Sequence, residues 1–137
     1  MYKNTIAILA SIIFSLISFS AFAVKVGAIY LDSQGFYGGI QKGIMAAGAD
    51  EGVELIGNNS QGDVTKESEF IDQLIAAGVE AVVMSPVSVE ASVAAVERLN
   101  EAGIPVICYN TCLSDADSER LIKALVTTSQ FDLGLPI

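Results

Sequence analysis

The sequence predicts an α/β protein built on a doubly wound parallel sheet, and three observations carry that expectation. Apolar segments suited to strands begin near residues 24, 53, 80 and 105, and helical periodicity follows the first three. Gly52, Gly78 and Gly103 close the three helical stretches. The run Ala81-Val82-Val83-Met84 is continuously apolar, as a strand covered on both faces requires. Such alternation demands right-handed crossovers and a parallel sheet with helices on both sides.

Ahead of the first strand, Met1 to Ala23 has a cation at Lys3, an apolar run from Ile6 to Phe19 and the triplet Ala21-Phe22-Ala23. This is the build of a secretory signal peptide cleaved after Ala23, so residues 24–137 are expected to form one exported domain. A membrane anchor is the alternative, but Ser11, Ser15 and Ser18 dilute the run. The first strand, from Val24, runs into the polar turn Asp32-Ser33-Gln34-Gly35. Phe36, Ile40, Ile44 and Ala47 then recur at helical spacing toward Gly52. Val53 to Ile56 is a second short strand, and the turn formers from Gly57 to Asp63 read as a loop. The second helix starts near Thr65 and buries Phe70, Ile71, Leu74 and Ile75. After the strand ending at Met84, Ser88 is placed to cap a third helix carrying Val89, Val93, Val96 and Leu99. Pro105 to Tyr109 makes the fourth strand, Asn110 to Ser118 a polar loop and Ala124 to Thr128 a fifth strand. Gln130-Phe131-Asp132-Leu133-Gly134 opens a further helix.

The chain has 137 residues with a formal charge of −9, and loss of Lys3 with the leader makes the remainder one unit more acidic. A surface of that sign repels phosphate backbones, so no nucleic-acid partner is expected. With 0 histidines, the commonest general base and the commonest transition-metal ligand are both missing. Gly35, Gly38 and Gly39 do not make a dinucleotide turn, and there is no phosphate-binding loop or Gly-x-Ser-x-Gly nucleophile turn. The pairs Glu67 with Glu69 and Asp115 with Asp117 fit a solvated helix start or loop. The expectation is therefore no enzyme, no cofactor, no catalytic residue and no metal site.

In a parallel sheet the loops after the first, third, fourth and fifth strands emerge on one edge, where ligands of open α/β sheets bind. Those loops carry Asp32, Gln34, Phe36 and Tyr37, then Ser85, then Asn110 and Thr111, then Ser129 and Gln130. Aromatic faces beside neutral amides and hydroxyls suit a polyhydroxylated ligand: the rings cover C–H faces and the amides pair with hydroxyls. Helical spacing alone favours Phe36 as the first core residue of its helix, and Asp32 could simply shape its turn. Cys108 and Cys112 flank Asn110, and a disulfide between them would clamp that turn if it is sharp enough to bring the Cα atoms within roughly 7 Å. Two separate buried thiols are the alternative.

As an ordered set, several segments resemble the periplasmic sugar-binding proteins of the ribose- and galactose-binding type, whose fold is shared with lac-repressor-like ligand domains. They are Asp32 through Tyr37, Gly43 through Gly52, Ile71 through Ala81, Ser85-Pro86 and Ala102 through Ile107. The resemblance implies two α/β lobes joined by a hinge, a sugar or polyol held between them, and closure that presents the protein to a membrane ABC permease in the periplasm. It implies that Phe36 stacks on the sugar beside Tyr37, that Asn110 stands where many members have aspartate, and that Gln130 is a polar contact after the fifth strand. Gly35 replaces a proline common in the family, and the cysteine pair is not general to it. Two lobes need roughly twice the length of residues 24–137. The expectation is thus an incomplete N-terminal lobe, a fragment that binds sugars weakly or not measurably. A periplasmic sensory module for a membrane kinase and a small secreted flavodoxin-like enzyme are the rival readings.

Overall fold

The computed structural model describes residues 23–127. Strands β1 (Lys25–Tyr30), β2 (Glu54–Asn59), β3 (Ala81–Met84), β4 (Val106–Tyr109) and β5 (Ala124–Val126) alternate with helices α1 (Gly35–Asp50), α2 (Val64–Ala77), α3 (Val93–Glu101) and α4 (Asp115–Leu121). The strands form one sheet in the order β2-β1-β3-β4-β5, and every pairing is parallel. The chain therefore has the α/β parallel-sheet architecture that its periodicity implies. Residues 1–22, where a signal peptide is expected, together with Gln130 and the helix expected around it, lie outside the described residues.

Register decides which side chains share a face. Ile29 lies level with Met84, and Val82 with Val106, so all four point to one side. They pack there against Ile71 and Leu74 of α2, Ala95, Val96 and Leu99 of α3, and Leu121 of α4. Each of the valine, leucine, isoleucine and methionine side chains buried there contributes about 1.5–3 kcal/mol of transfer free energy. The opposite face carries α1, whose buried Gly48 sits so close to Leu55 of β2 that a Cβ there would collide with the leucine. Tyr30 and Tyr109 are buried on this second face, whereas Val126, level with Tyr109, is exposed.

Local chemistry sets the helix ends. The Asp63 carboxylate accepts from Thr65 N and Lys66 N at the start of α2, satisfying donors that the helix cannot. Gly78 ends the same helix at φ 67, a left-handed conformation that glycine adopts without Cβ strain. Between helices, Asn100 Nδ2 donates to Val96 O and Leu121 O and so ties α3 to α4.

Four sequence expectations need correction. Strand β2 continues through Gly57-Asn58-Asn59, because β1 offers these turn-forming residues a parallel ladder as far as Tyr30. Helix α3 begins at Val93, and Ser88 instead stabilises the turn before it, its Oγ accepting from Ala91 N at 3.1 Å. The stretch expected as a loop from Asn110 to Ser118 holds the start of α4, capped by Ser114 Oγ accepting from Asp117 N. The fourth concerns Glu67, which is fully buried, while Glu69 two residues on is exposed.

Leu99 is fully buried at the centre of the main core. Leu99→Ala is expected to lower unfolding free energy by about 2–5 kcal/mol. Urea denaturation followed by circular dichroism checks this, and an unchanged midpoint would show that the α3 face is not packed as described.

Candidate functional site

Because all five strands are parallel, the loops after β1, β3, β4 and β5 leave the sheet at the same edge. The order reverses next to β1: the chain crosses to β2 on one side of it and then to β3 on the other. This is the switch point at which open α/β sheets present ligand crevices. Phe36 and Tyr37 stand there in the first turn of α1.

Phe36, expected at the ligand edge, is 59% exposed, so the core position that helical spacing alone favoured does not hold. Its ring meets Tyr37 edge to face, with centroids 5.4 Å apart and planes at 76°. Across the edge, Asn110 Nδ2 donates to Tyr37 Oη at 3.1 Å and to Thr111 Oγ1 at 3.2 Å. Both amide protons are thereby committed, and the amide oxygen of Asn110 is left as an acceptor. Phe36, Ile40, Tyr109, Asn110, Val126 and Thr127 line a shallow, mainly apolar cavity of about 220 Å³.

The turn that delivers Asn110 is held on several sides. Asn110 has φ 61, in the left-handed region that asparagine tolerates better than most residues. Its N–H donates to Val126 O, while Thr111 N donates to Tyr109 O. A disulfide joins Cys108, fully buried in β4, to Cys112, with the Cα atoms 5.5 Å apart. Beneath the turn, Tyr109 Oη donates to Ile29 O at 3.2 Å and pins β4 to β1 across β3. Burial pushes the Tyr109 phenol up to about 12, so it remains a neutral donor at neutral pH.

The other expected site residues are placed differently. Asp32 is exposed, and its Oδ1 accepts from Ser33 N, which shapes the turn. Gln34 is exposed at the N-cap of α1, and its side chain makes no capping bond. Ser85 is fully buried at the end of β3, and its Oγ has no partner among the described residues. Gln130 lies outside the described residues. The structure thus brings Phe36, Tyr37 and Asn110 together and sets Asp32 and Gln34 in the same loop. Sequence reasoning missed Ile40, Tyr109 and Val126 as lining residues. The alternation of Ile107 and Tyr109 along β4 was the available signal, because it turns Tyr109 toward α1.

Fold and site together define a class: an α/β lobe that presents an uncharged aromatic and amide wall at the switch point of a parallel sheet. A family model described as a periplasmic binding protein domain matches residues 26–134, and the chain belongs to that family. It is 43% identical over 113 residues to the ABC transporter periplasmic-binding protein YphF of Escherichia coli K12, covering 81% of this chain and 35% of that protein. Over 136 residues it is 29% identical to a putative rhizopine-binding protein of Rhizobium meliloti, covering 98% of this chain and 43% of that one. The chain thus spans less than half the length of these curated relatives. Among solved structures, an ABC transporter solute-binding protein from Bacillus halodurans with bound myo-inositol superposes with TM-score 0.69 at 23% identity, covering 79% of this chain and 37% of that one. The binding protein of the arabinose ABC transporter from Shewanella, bound to arabinofuranose, superposes with TM-score 0.70 at 20% identity, covering 76% of this chain and 34% of that one. These two likenesses are of fold.

The five-residue disulfide ring encloses Asn110, and closing so short a loop stabilises the fold by about 2 kcal/mol. The double variant Cys108→Ser with Cys112→Ser is expected to lose up to that amount in denaturant unfolding. Its Asn110 side-chain amide signals should move toward those of an unstructured asparagine in NMR spectra as the contacts to Tyr37 and Thr111 loosen. Unchanged amide signals would show that the bridge does not hold the turn.

Proposed function

We propose that this chain supplies one wall of the binding cleft of an extracytoplasmic solute receptor that delivers a sugar or polyol to an ABC importer. The observation that carries the reading is the exposed Phe36 ring beside Tyr37, hydrogen-bonded across the sheet edge to Asn110. An aromatic face covers the C–H side of a polyhydroxylated ring, and the Asn110 oxygen accepts from one of its hydroxyls. Asp32, Gln34 and Gln130 extend the polar rim in this reading, and Ser85 supports it from below. In this reading binding is the whole of the chain's role, in keeping with an edge whose centre is aromatic rings and a neutral amide.

Family membership and the printed names of relatives support the solute class, among them a ribose import binding protein of Bacillus subtilis and a xylitol-binding protein of Mycolicibacterium smegmatis. In this reading residues 24–137 form an N-terminal lobe, exported after cleavage at Ala23. The ligand is trapped by closure against a second lobe, and the closed form is what the permease meets.

One wall covers only part of a ligand, so the chain alone is expected to bind with a Kd of order millimolar, about −4 kcal/mol. Titrating the isotope-labelled chain with ribose, xylitol and myo-inositol should shift the signals of Phe36, Tyr37 and Asn110, and Phe36→Ala should weaken that binding about tenfold. If none of the three moves those signals, or the shifts map elsewhere, the proposal fails. Micromolar binding in calorimetry would show that a second wall is not needed.

A further inference from the structure

Glu67 is the only charged residue fully buried among the described residues. It sits in the first turn of α2, and no described ion pair includes it. Its Oε2 accepts from Val87 N at 2.8 Å, a bond from helix to loop across twenty positions of sequence. Its Oε1 has no partner among the described residues. A buried carboxyl with an unpartnered oxygen and no cation among the described residues is costly, and the Val87 bond is what offsets that cost.

The loop that it touches runs from Ser85 to Ser92, between β3 and α3, and is largely tied to itself. Ser88 N donates to Ser92 Oγ, Ala91 N to Ser88 Oγ, and Ser92 N to Ser88 O. Those bonds are internal to the loop. Among the described residues, Val87 N reaches α2 from this loop, two residues after Ser85 at the sheet edge, and the Ser92 hydroxyl also bears on the Glu67 carboxyl.

We propose that Glu67 is the positioning residue of the β3–α3 loop: through Val87 it holds the loop, and with it Ser85, at the ligand edge. The link to ligand rests on the function proposed above, whereas the anchoring does not. Among the charged groups on the elements packed here, Lys66 Nζ is bound to Gln61 Oε1, Asp63 caps α2, Arg98 of α3 pairs with Asp72, and Glu90 of the loop is exposed. Burial accordingly pushes the Glu67 carboxyl above its ordinary value, against the opposing pull of the Ser92 hydroxyl and Val87 N–H. A raised value means that its contribution to stability is full below the ordinary carboxylate range and is lost as pH climbs through the raised one.

The test combines variants with a titration of the full chain. Glu67→Ala should speed hydrogen exchange at Val87 about tenfold or more while leaving core amides such as Val82 unchanged, and Glu67→Gln, which keeps an acceptor oxygen, should restore protection. In the unsubstituted chain, the Val87 amide shift should titrate with the same midpoint as the Glu67 carboxyl carbon, and this titration should vanish in Glu67→Gln. If Glu67→Ala does not fold, the titration and the glutamine variant decide alone. A Val87 signal that ignores the Glu67 titration, or a glutamine variant as unprotected as a lost contact would be, overturns the proposal. Ribose or xylitol binding should weaken in Glu67→Ala and recover in Glu67→Gln; if the unsubstituted chain binds neither, the site reading fails while the Val87 readout still judges the anchor.

Discussion

The parallel ladder between β1 and its two neighbours governs most of what this chain can do. β1 is bonded to β2 on one side and β3 on the other, so it has no free edge, and because both pairings are parallel the connections between these strands must be crossovers. Each crossover carries a helix over the sheet, and each strand then ends at the same edge. Side chains from loops far apart in sequence, at Tyr37 and Asn110, meet there without any local signal linking them. The hydrophobic core of α2, α3 and α4 on one face keeps the strands level, and the level strands align the loop starts.

On that frame the region around Asn110 is fixed by several weak restraints rather than one strong one. The disulfide, the Val126 carbonyl, the Tyr109 hydroxyl beneath and the Tyr37 hydroxyl in front each remove a different freedom. An asparagine at φ 61 is uphill unless its surroundings over-determine it, and here they do. Preorganisation of this kind lowers the ordering cost at the moment of ligand contact.

The sequence made strands and helix ends readable wherever local chemistry and packing agreed: the apolar run from Ala81, the Asp63 cap and Gly78 all act within a few residues of themselves. It misled where tertiary pairing overrode local preference. Gly57-Asn58-Asn59 has the composition of a turn and becomes strand because β1 supplies partners. Helix α4 buries only Leu121 among its seven residues, too little to set a helical period in the sequence. Glu67 and Glu69 look alike in the chain, yet two residues along a helix turn side chains to nearly opposite sides, and only one faces the loop. Phe36 and Ile40 do share a face, as their spacing implied, but that face lines the edge cavity instead of the main core.

The chemistry of the edge also bears on how a ligand would be held. The chain is strongly acidic, but Asp32 is the only carboxylate among the residues assigned to the edge, and the contacts at its centre are aromatic and amide. Neutral hydrogen bonds are about half as strong as charge-assisted ones, so an asparagine holds a hydroxyl less firmly than an aspartate in its place would. It is also cheaper to dehydrate, because an amide leaves water at far smaller cost than a carboxylate. In the proposed reading, a wall of this kind would draw its affinity from apolar contact and from the exclusion of water. Neither is complete while Phe36 and Val126 face solvent, 59% and 63% exposed. In the proposed reading, the same exposure that makes a single wall weak would make closure favourable, since a surface arriving from the opposite side would cover ring, amide and ligand in one step.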